Sequence, residues 1–303
     1  MHRAPGDVEA RSALHSALRR IADLGDHERW GRADAASQDA VVDVVSRLQG
    51  EGWEHARTAT YAVGDRSHRV ATLVHKESRV EFQLLPGGSF QMGGHDAPSV
   101  NHGLKLNEQP CHEVLVQPLL LGRVPLVQSQ WDLKPATDDR RWAEPQLPME
   151  GVTWDQSQGW LAQFADKLRL PSESEWEYAC RAGTQGAFFW GDEAPERYAW
   201  FGAPRGEWRT YPPADHSEVP NAFGLVDMAG NVAEWCADHY ASSYRGAPCD
   251  GSPRRLSRGD LRVVRGGDSF NLASHCRSAA RNFASRHDAG AGIGFRVACD
   301  VQW

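Results

Sequence analysis

Apolar positions along the chain change period several times, and each change predicts a different element. Val8 to Leu24 places Val8, Leu14, Ala17, Leu18, Ile21 and Leu24 near a 3.6-residue period. Ser37 to Leu48 repeats the pattern with Val41, Val42, Val44, Val45 and Leu48 before Gly50 stops it. Two helices of a small N-terminal segment are predicted, their charged remainder a solvated face. Thr58–Gly64 and Val70–His75 then read as short strands, with His68 and His75 as surface residues. Val80 to Leu85 alternates into Pro86-Gly87-Gly88, predicting a strand, a turn and a second strand through Gly94. Asn107 to Val116 reads as loop into strand. Thr153 with Gln156, and Ser172 with Glu175, form capping boxes. The first opens a helix whose buried stripe is Trp160, Leu161, Phe164 and Leu168; the second opens a short helix through Tyr178 that Gly183 ends. Capping and the helix dipole account for the carboxylates of Arg169 to Tyr178 without any catalysis.

The stretch from Arg265 to Arg296 breaks every period. It opens on Arg265-Gly266-Gly267 after the strand-like Arg262-Val263-Val264, and closes on Gly294-Phe295-Arg296-Val297, a second strand signal. Small and polar residues, Cys276 and two histidines lie between. The pattern predicts two strands holding a long surface loop with one short turn. Loops held by rigid strands are where ligands are met.

Composition sharpens this picture. Twelve tryptophans and 29 glycines among 303 residues suggest large aromatic plugs and tight turns rather than long helices. With 41% hydrophobic and 24% charged residues, a chain of this length has a large core. A net charge of −7 without a basic block argues against nucleic-acid and anionic-membrane partners. No stretch has transmembrane length and Met1 to Asp7 lacks the apolar segment of a secretory signal, so a cytoplasmic location is expected. The six cysteines (Cys111, Cys180, Cys236, Cys249, Cys276, Cys299) show no close metal-ligand spacing and are expected to be reduced.

The segments LLPGGSFQMGG, NEQPCHEV, VTWDQSQGWLAQF, RLPSESEWEYACRAG, FFWGDE, NAFGLVDMAGNVAEW and RGGDSF…CRSAARN…GIGFRVA together resemble the formylglycine-generating, sulfatase-modifying-factor family, in the family's order from about Val80 to Trp303. The resemblance implies an α+β, C-type-lectin-like fold with few short helices and much irregular chain, over 80–303, preceded by a helical segment with connecting strands over 1–79. Such families contain copper-dependent enzymes that oxidise a sulfatase cysteine to formylglycine, non-haem iron sulfoxide synthases, pigment-maturation enzymes and ligand-display proteins diversified by retroelements. Fold does not choose among them.

Residues narrow the choice. Formylglycine-generating enzymes carry two cysteines after the RGG motif, a thiolate pair suited to copper(I). Here Asp268 to His275 holds none, and Cys276 belongs to the CRSA motif, so copper chemistry is not carried over. Iron sulfoxide synthases add a four-helix domain with a His and HxxxH site, for which the first 79 residues are too short; iron is unsupported too. His239, His275 and His287 are left as a metal or acid-base cluster or as separate surface histidines. Cys180 and Cys299 sit near a disulfide of some secreted relatives, though packed thiols suit a cytosolic chain better. Resemblance also implies a structural calcium ion on Asp227, Gly230, Val232 and Glu234, against the reading that Glu234 merely accepts bonds from turn amides. The family's second calcium site is expected to be lost, because Trp200 replaces its asparagine.

Two functions follow. In the first the chain is a lectin-fold binding or display protein without formylglycine-generating activity and without catalytic residues. Its loop 268–292 meets an unknown protein or small molecule through Phe270, Asn271, Leu272, Ser274, His275, Phe283, Ser285 and His287. Retroelement-diversified relatives mutate adenines of asparagine codons, which never yields Trp, Met, Lys, Glu or Gln, and none of these occurs between Asp268 and Gly292. A loop of small residues looks the same. In the second it is a non-haem metal-dependent oxidoreductase with a non-standard site.

Overall fold

The computed structural model describes residues 22–94, 106–131, 142–191, 197–202, 209–213 and 219–302. The helix expected over Val8–Leu24 lies outside them up to residue 21. The second is present: α1 (His27–Arg32) and α2 (Ala35–Gln49) are capped by Asp26 and Asp34, whose carboxylates accept first-turn amide hydrogens. Val41, Val42 and Val45 of α2 enter the core as its period demands.

β1 (Trp53–Val63), β2 (Arg66–His75) and β3 (Val80–Leu85) run antiparallel, and β4 (Gly88–Met92) pairs with β5 (His112–Val116). β6 (Leu119–Gly122) and β11 (Ala298–Asp300) complete a five-stranded sheet ordered β1-β2-β3-β6-β11. Side chains alternate across it. Phe82, Leu84 and Leu120 join α2, Trp160, Trp235 and Phe295 in one core, while Leu85, Leu119 and Leu121 join Trp176, Phe223 and Met228 in the other. Trp160, Trp176 and Trp235 are fully buried, each contributing roughly 4–6 kcal/mol of gross hydrophobic stabilisation before entropy. The boundary expected between residues 79 and 80 falls inside this sheet, because β2 pairs with β3 from His75 and Val80 onward.

The two capping boxes form as read. Thr153 and Gln156 open α3 (Trp154–Leu161), and Ser172 and Glu175 open α4 (Glu173–Arg181), which ends on a left-handed Ala182 before Gly183. A four-stranded sheet, ordered β10-β7-β8-β9, contains β7 (Ala233–His239), β8 (Leu261–Arg265), β9 (Asn282–Ser285) and β10 (Ile293–Gly294).

Three expectations are corrected here. His75 is buried, with its ring nitrogens 2.8 Å from Ser78 Oγ and 2.9 Å from Asp166 Oδ2, and His68 packs on Phe223 at 4.7 Å. Neither is a plain surface residue, since both are drawn in by partners far away in sequence. The strand signal at Gly294–Val297 divides into β10 and β11, with Phe295 turning into the core between them. The long loop is not all surface, because Cys276–Arg281 is buried and β9 adds an edge strand after it.

Candidate functional site

Four arginines of the Arg265–Arg296 stretch are buried, and each binds a glutamate from elsewhere in the chain. Arg277 grips Glu108 through two bonds of 2.7 Å, and Arg281 grips Glu173 at 2.6 and 2.8 Å. Arg296 holds Glu234 at 2.6 and 2.7 Å, and Arg265 pairs with Glu177. Glu173 and Glu177 stand four apart on α4, hence on one face, and both point at the stretch. Burial opposes ionisation of Glu177, but Arg181 and Arg265 outweigh it and hold the carboxyl below its ordinary value. A buried pair of this kind is costly to break from one side, because the remaining charge is stranded. These pairs went unread in the sequence. The available signal was the i, i+4 spacing of Glu173 and Glu177, which capping alone does not explain.

On this base sits a crest made of residues 268–275 and 282–292. Leu272 is 69% exposed and Phe283 44% exposed, and Tyr240 backs the Phe283 ring at 4.3 Å. Phe270 is half-buried; a Cβ on Gly292 would stand 2.9 Å from its ring. Ala273–His275 forms one short 3-10 turn, with Ser274 Oγ 3.5 Å from His275 Nδ1. A cavity of about 110 Å³ opens here, lined by Asp268, Asn271, His275, Arg281, Asn282 and Phe283 among others. Asn271, His275 and Phe283 of the predicted contacts therefore share one pocket. Leu272 and Ser274 belong to the same crest. Ser285 and His287 are on the crest but outside this pocket lining: His287 Nδ1 is 3.1 Å from Asp155 Oδ2, beside the Arg286–Asp155 ion pair. His239 lies in β7, opposite Arg262 of β8. Among the described residues no three His, Cys, Asp or Glu side chains are grouped to hold a metal.

The thiols are poor donors for a soft metal. Cys180, Cys236, Cys276 and Cys299 are buried and unbridged, while Cys249 is exposed. Burial pushes Cys180 up to about 11 and Cys299 up to about 12, and drives Cys236 and Cys276 well above the ordinary thiol range. Cys180 and Cys299 belong to different cores. The stretch after Gly267 offers one cysteine, Cys276, and it is buried beneath Gly267, so the residues present do not fit a two-thiolate copper site.

The turn before β7 holds the residues expected for calcium. Gly230 has φ 76°, and a Cβ there would stand 2.1 Å from the Trp200 carbonyl oxygen, so only glycine fits. Val232 is buried in the turn. Buried Asp227 accepts one bond from Asn231 at 2.8 Å, and its Oδ1 has no partner. Burial raises its pKa to about 7. Glu234 is more committed, taking Arg296 on both oxygens and the Trp176 indole at 2.7 Å. Asp227 thus keeps one carboxylate oxygen open to a cation, whereas both Glu234 oxygens are taken. Trp200 stacks on Tyr211 at 3.8 Å where the second calcium site was expected to be lost.

Comparison with known proteins places this geometry. The sulfatase-modifying factor enzyme 1-like domain matches residues 70–301. The chain belongs to this family. It is 34% identical to the formylglycine-generating enzyme of Thermomonospora curvata, covering 71% of this chain and 92% of that one. It is also 34% identical to that of Streptomyces coelicolor, covering 52% of this chain and 54% of that one, so it spans about half the length of this second relative. Among solved structures it is similar to PvdO from Pseudomonas aeruginosa, with TM-score 0.65, 32% identity and coverage of 74% and 95%. Treponema denticola variable protein 1, at TM-score 0.58 and 24% identity, covering 80% of this chain and 99% of that one, shares the fold. The α+β, C-type-lectin-like architecture expected for this family is the one observed. Among the described residues no helix is long and apolar enough to cross a membrane.

Proposed function

We propose that this chain is a binding member of the sulfatase-modifying-factor family, without formylglycine-generating activity, whose crest within 268–292 takes a protein or small-molecule ligand. The observation that carries this is the contrast within one stretch. Its arginines are locked to buried glutamates, while Leu272 and Phe283 stand exposed on the base so formed. A rigid base with apolar side chains displayed on it is the arrangement of a contact surface. Diversification by a retroelement would be tolerated at Asn271, Leu272, Ser274, His275, Phe283, Ser285 and His287, and not at buried Arg277 or Arg281. Partners that are nucleic acids or membranes do not suit the net charge of −7. The location proposed is cytoplasmic. A structural calcium ion at Asp227, Gly230, Val232 and Glu234 is part of the same proposal, supported by the unpartnered Asp227 Oδ1.

Selection of peptides from a displayed random library on the purified protein tests the binding role. Enriched peptides should lose affinity for a Leu272→Ala/Phe283→Ala variant; peptides that bind both equally would refute the crest. Oxidation is the second reading, favoured by the 34% identity to two formylglycine-generating enzymes. Incubation of a sulfatase-type cysteine peptide with the protein, copper(I) and oxygen should leave the thiol intact. Conversion to an aldehyde by mass spectrometry, abolished by Cys276→Ser, would establish that reading instead.

A further inference from the structure

The crest pocket has an electrostatic peculiarity that narrows the ligand. Glu108, Glu173, Glu177 and Glu234, four buried glutamates beneath the crest, each hold an arginine. Asp268 holds none. Its Oδ1 accepts the Phe270 amide at 2.9 Å and the Asn271 side-chain amide, and no Lys, Arg or His among the described residues forms an ion pair with it. Its Oδ2 lies toward Gly292, where an added Cβ would come within 3.4 Å of it. Arg281, which lines the same pocket, is spent. Its guanidinium donates to both Glu173 oxygens and to the Ala241 carbonyl at 3.0 Å. Among the described residues the pocket therefore presents a carboxylate without an ion-pair partner, and Phe283, which Tyr240 backs, lines the same pocket.

We infer that this pocket receives a cationic group of the ligand, an ammonium or guanidinium, held by the Asp268 carboxylate against the Phe283 ring; this rests on the crest being the binding face. The chemistry is mutually consistent. Burial raises the Asp268 pKa, opposed by the bonds from Phe270 and Asn271, so the ionised form has a desolvation cost that a bound cation offsets. An aromatic face adds cation–π attraction to the same group. A volume of about 110 Å³ admits one such headgroup and little more.

Benzamidine and benzamide test it, because they share a shape and differ in charge. Binding to the full chain is followed by amide chemical-shift titration. Benzamidine should bind about tenfold tighter or better, the worth of one charge-assisted hydrogen bond, with shifts at Gly266–His275 and Asn282–Ile293. Asp268→Asn keeps an acceptor for the Phe270 amide and should abolish the preference, while Phe283→Ala should weaken benzamidine binding. Equal affinities with shifts at the crest, or a preference that survives Asp268→Asn, would refute the cation and leave the crest as a binding face. Shifts elsewhere only, or no benzamidine binding, would refute the cation. If crest variants also left peptide binding unchanged, the binding-face reading would fall with it.

Discussion

At the residue scale, what a side chain can do here is decided by burial more than by identity. Cysteine is the clearest case. Six thiols spread along the sequence look equivalent, yet the fold keeps four of them buried, and for those four burial disfavours the thiolate. At pH 8 a thiol-reactive disulfide reagent should therefore label Cys249 quickly and half-buried Cys111 more slowly, and reach the other four only after unfolding; rapid labelling of Cys276 would contradict the buried site described. The same lesson holds for His75, which no local pattern marked as buried and which Ser78 and Asp166 hold inside. The irregular, Gly-rich turn from Asp227 to Glu234 was legible in the sequence. The Arg296 guanidinium that shares Glu234 was not, because 62 residues separate them.

At the element scale, legibility tracked how local the determining interaction is. Both capping boxes involve residues three apart, and α3 and α4 begin where they were read. β6 was missed because Leu119, Leu120 and Leu121 are buried on both faces and show no alternation. β9 was missed because Asn282–Ser285 is short and its pairing with β8 is a tertiary contact; buried Arg277 and Arg281 anchor the segment before it. Those anchors are testable. Arg277→Ala strands Glu108, which is fully buried, and should cost about 3–5 kcal/mol, read as a fall in the denaturation midpoint at unchanged slope. A cost below about 0.5 kcal/mol, the level of an exposed site, would mean the crest is not held by its arginines.

At the scale of the whole molecule, the buried ion pairs couple the fold to pH. Glu177 is held below its ordinary value in the folded state, so its stabilising contribution is complete above about 4.5 and is lost as pH falls through the folded value. The Glu177 contribution, read as the difference in urea midpoint between the parent and Glu177→Gln, should therefore be level near neutrality and shrink steadily below pH 4.5. A difference that did not move between pH 5 and pH 3 would contradict the pairing. The calcium ion proposed for the turn before β7 would act at the same scale. An ion bound only by the folded state raises stability once its concentration exceeds the dissociation constant. A chelator should lower the melting temperature, and Glu234→Gln should remove that sensitivity; no chelator effect, with no metal by elemental analysis, would show that the turn before β7 holds itself.

The family and the fold were legible because seven motifs recur in order, whereas the proposed binding role rests on which residues the crest leaves exposed. Leu272 and Phe283 decide it. Exposed substitutions each change stability by about 0.5 kcal/mol or less, so a Leu272→Ala/Phe283→Ala variant should melt within about 4 °C of the parent protein. The direct test is the affinity of that variant for a peptide selected on the parent, measured alongside its melting temperature. The account predicts a loss of about tenfold or more in affinity, the worth of truncating one or two contact anchors, with melting unchanged inside that margin. Unchanged affinity, or a collapse in melting temperature showing that these two side chains belong to the core, would contradict it.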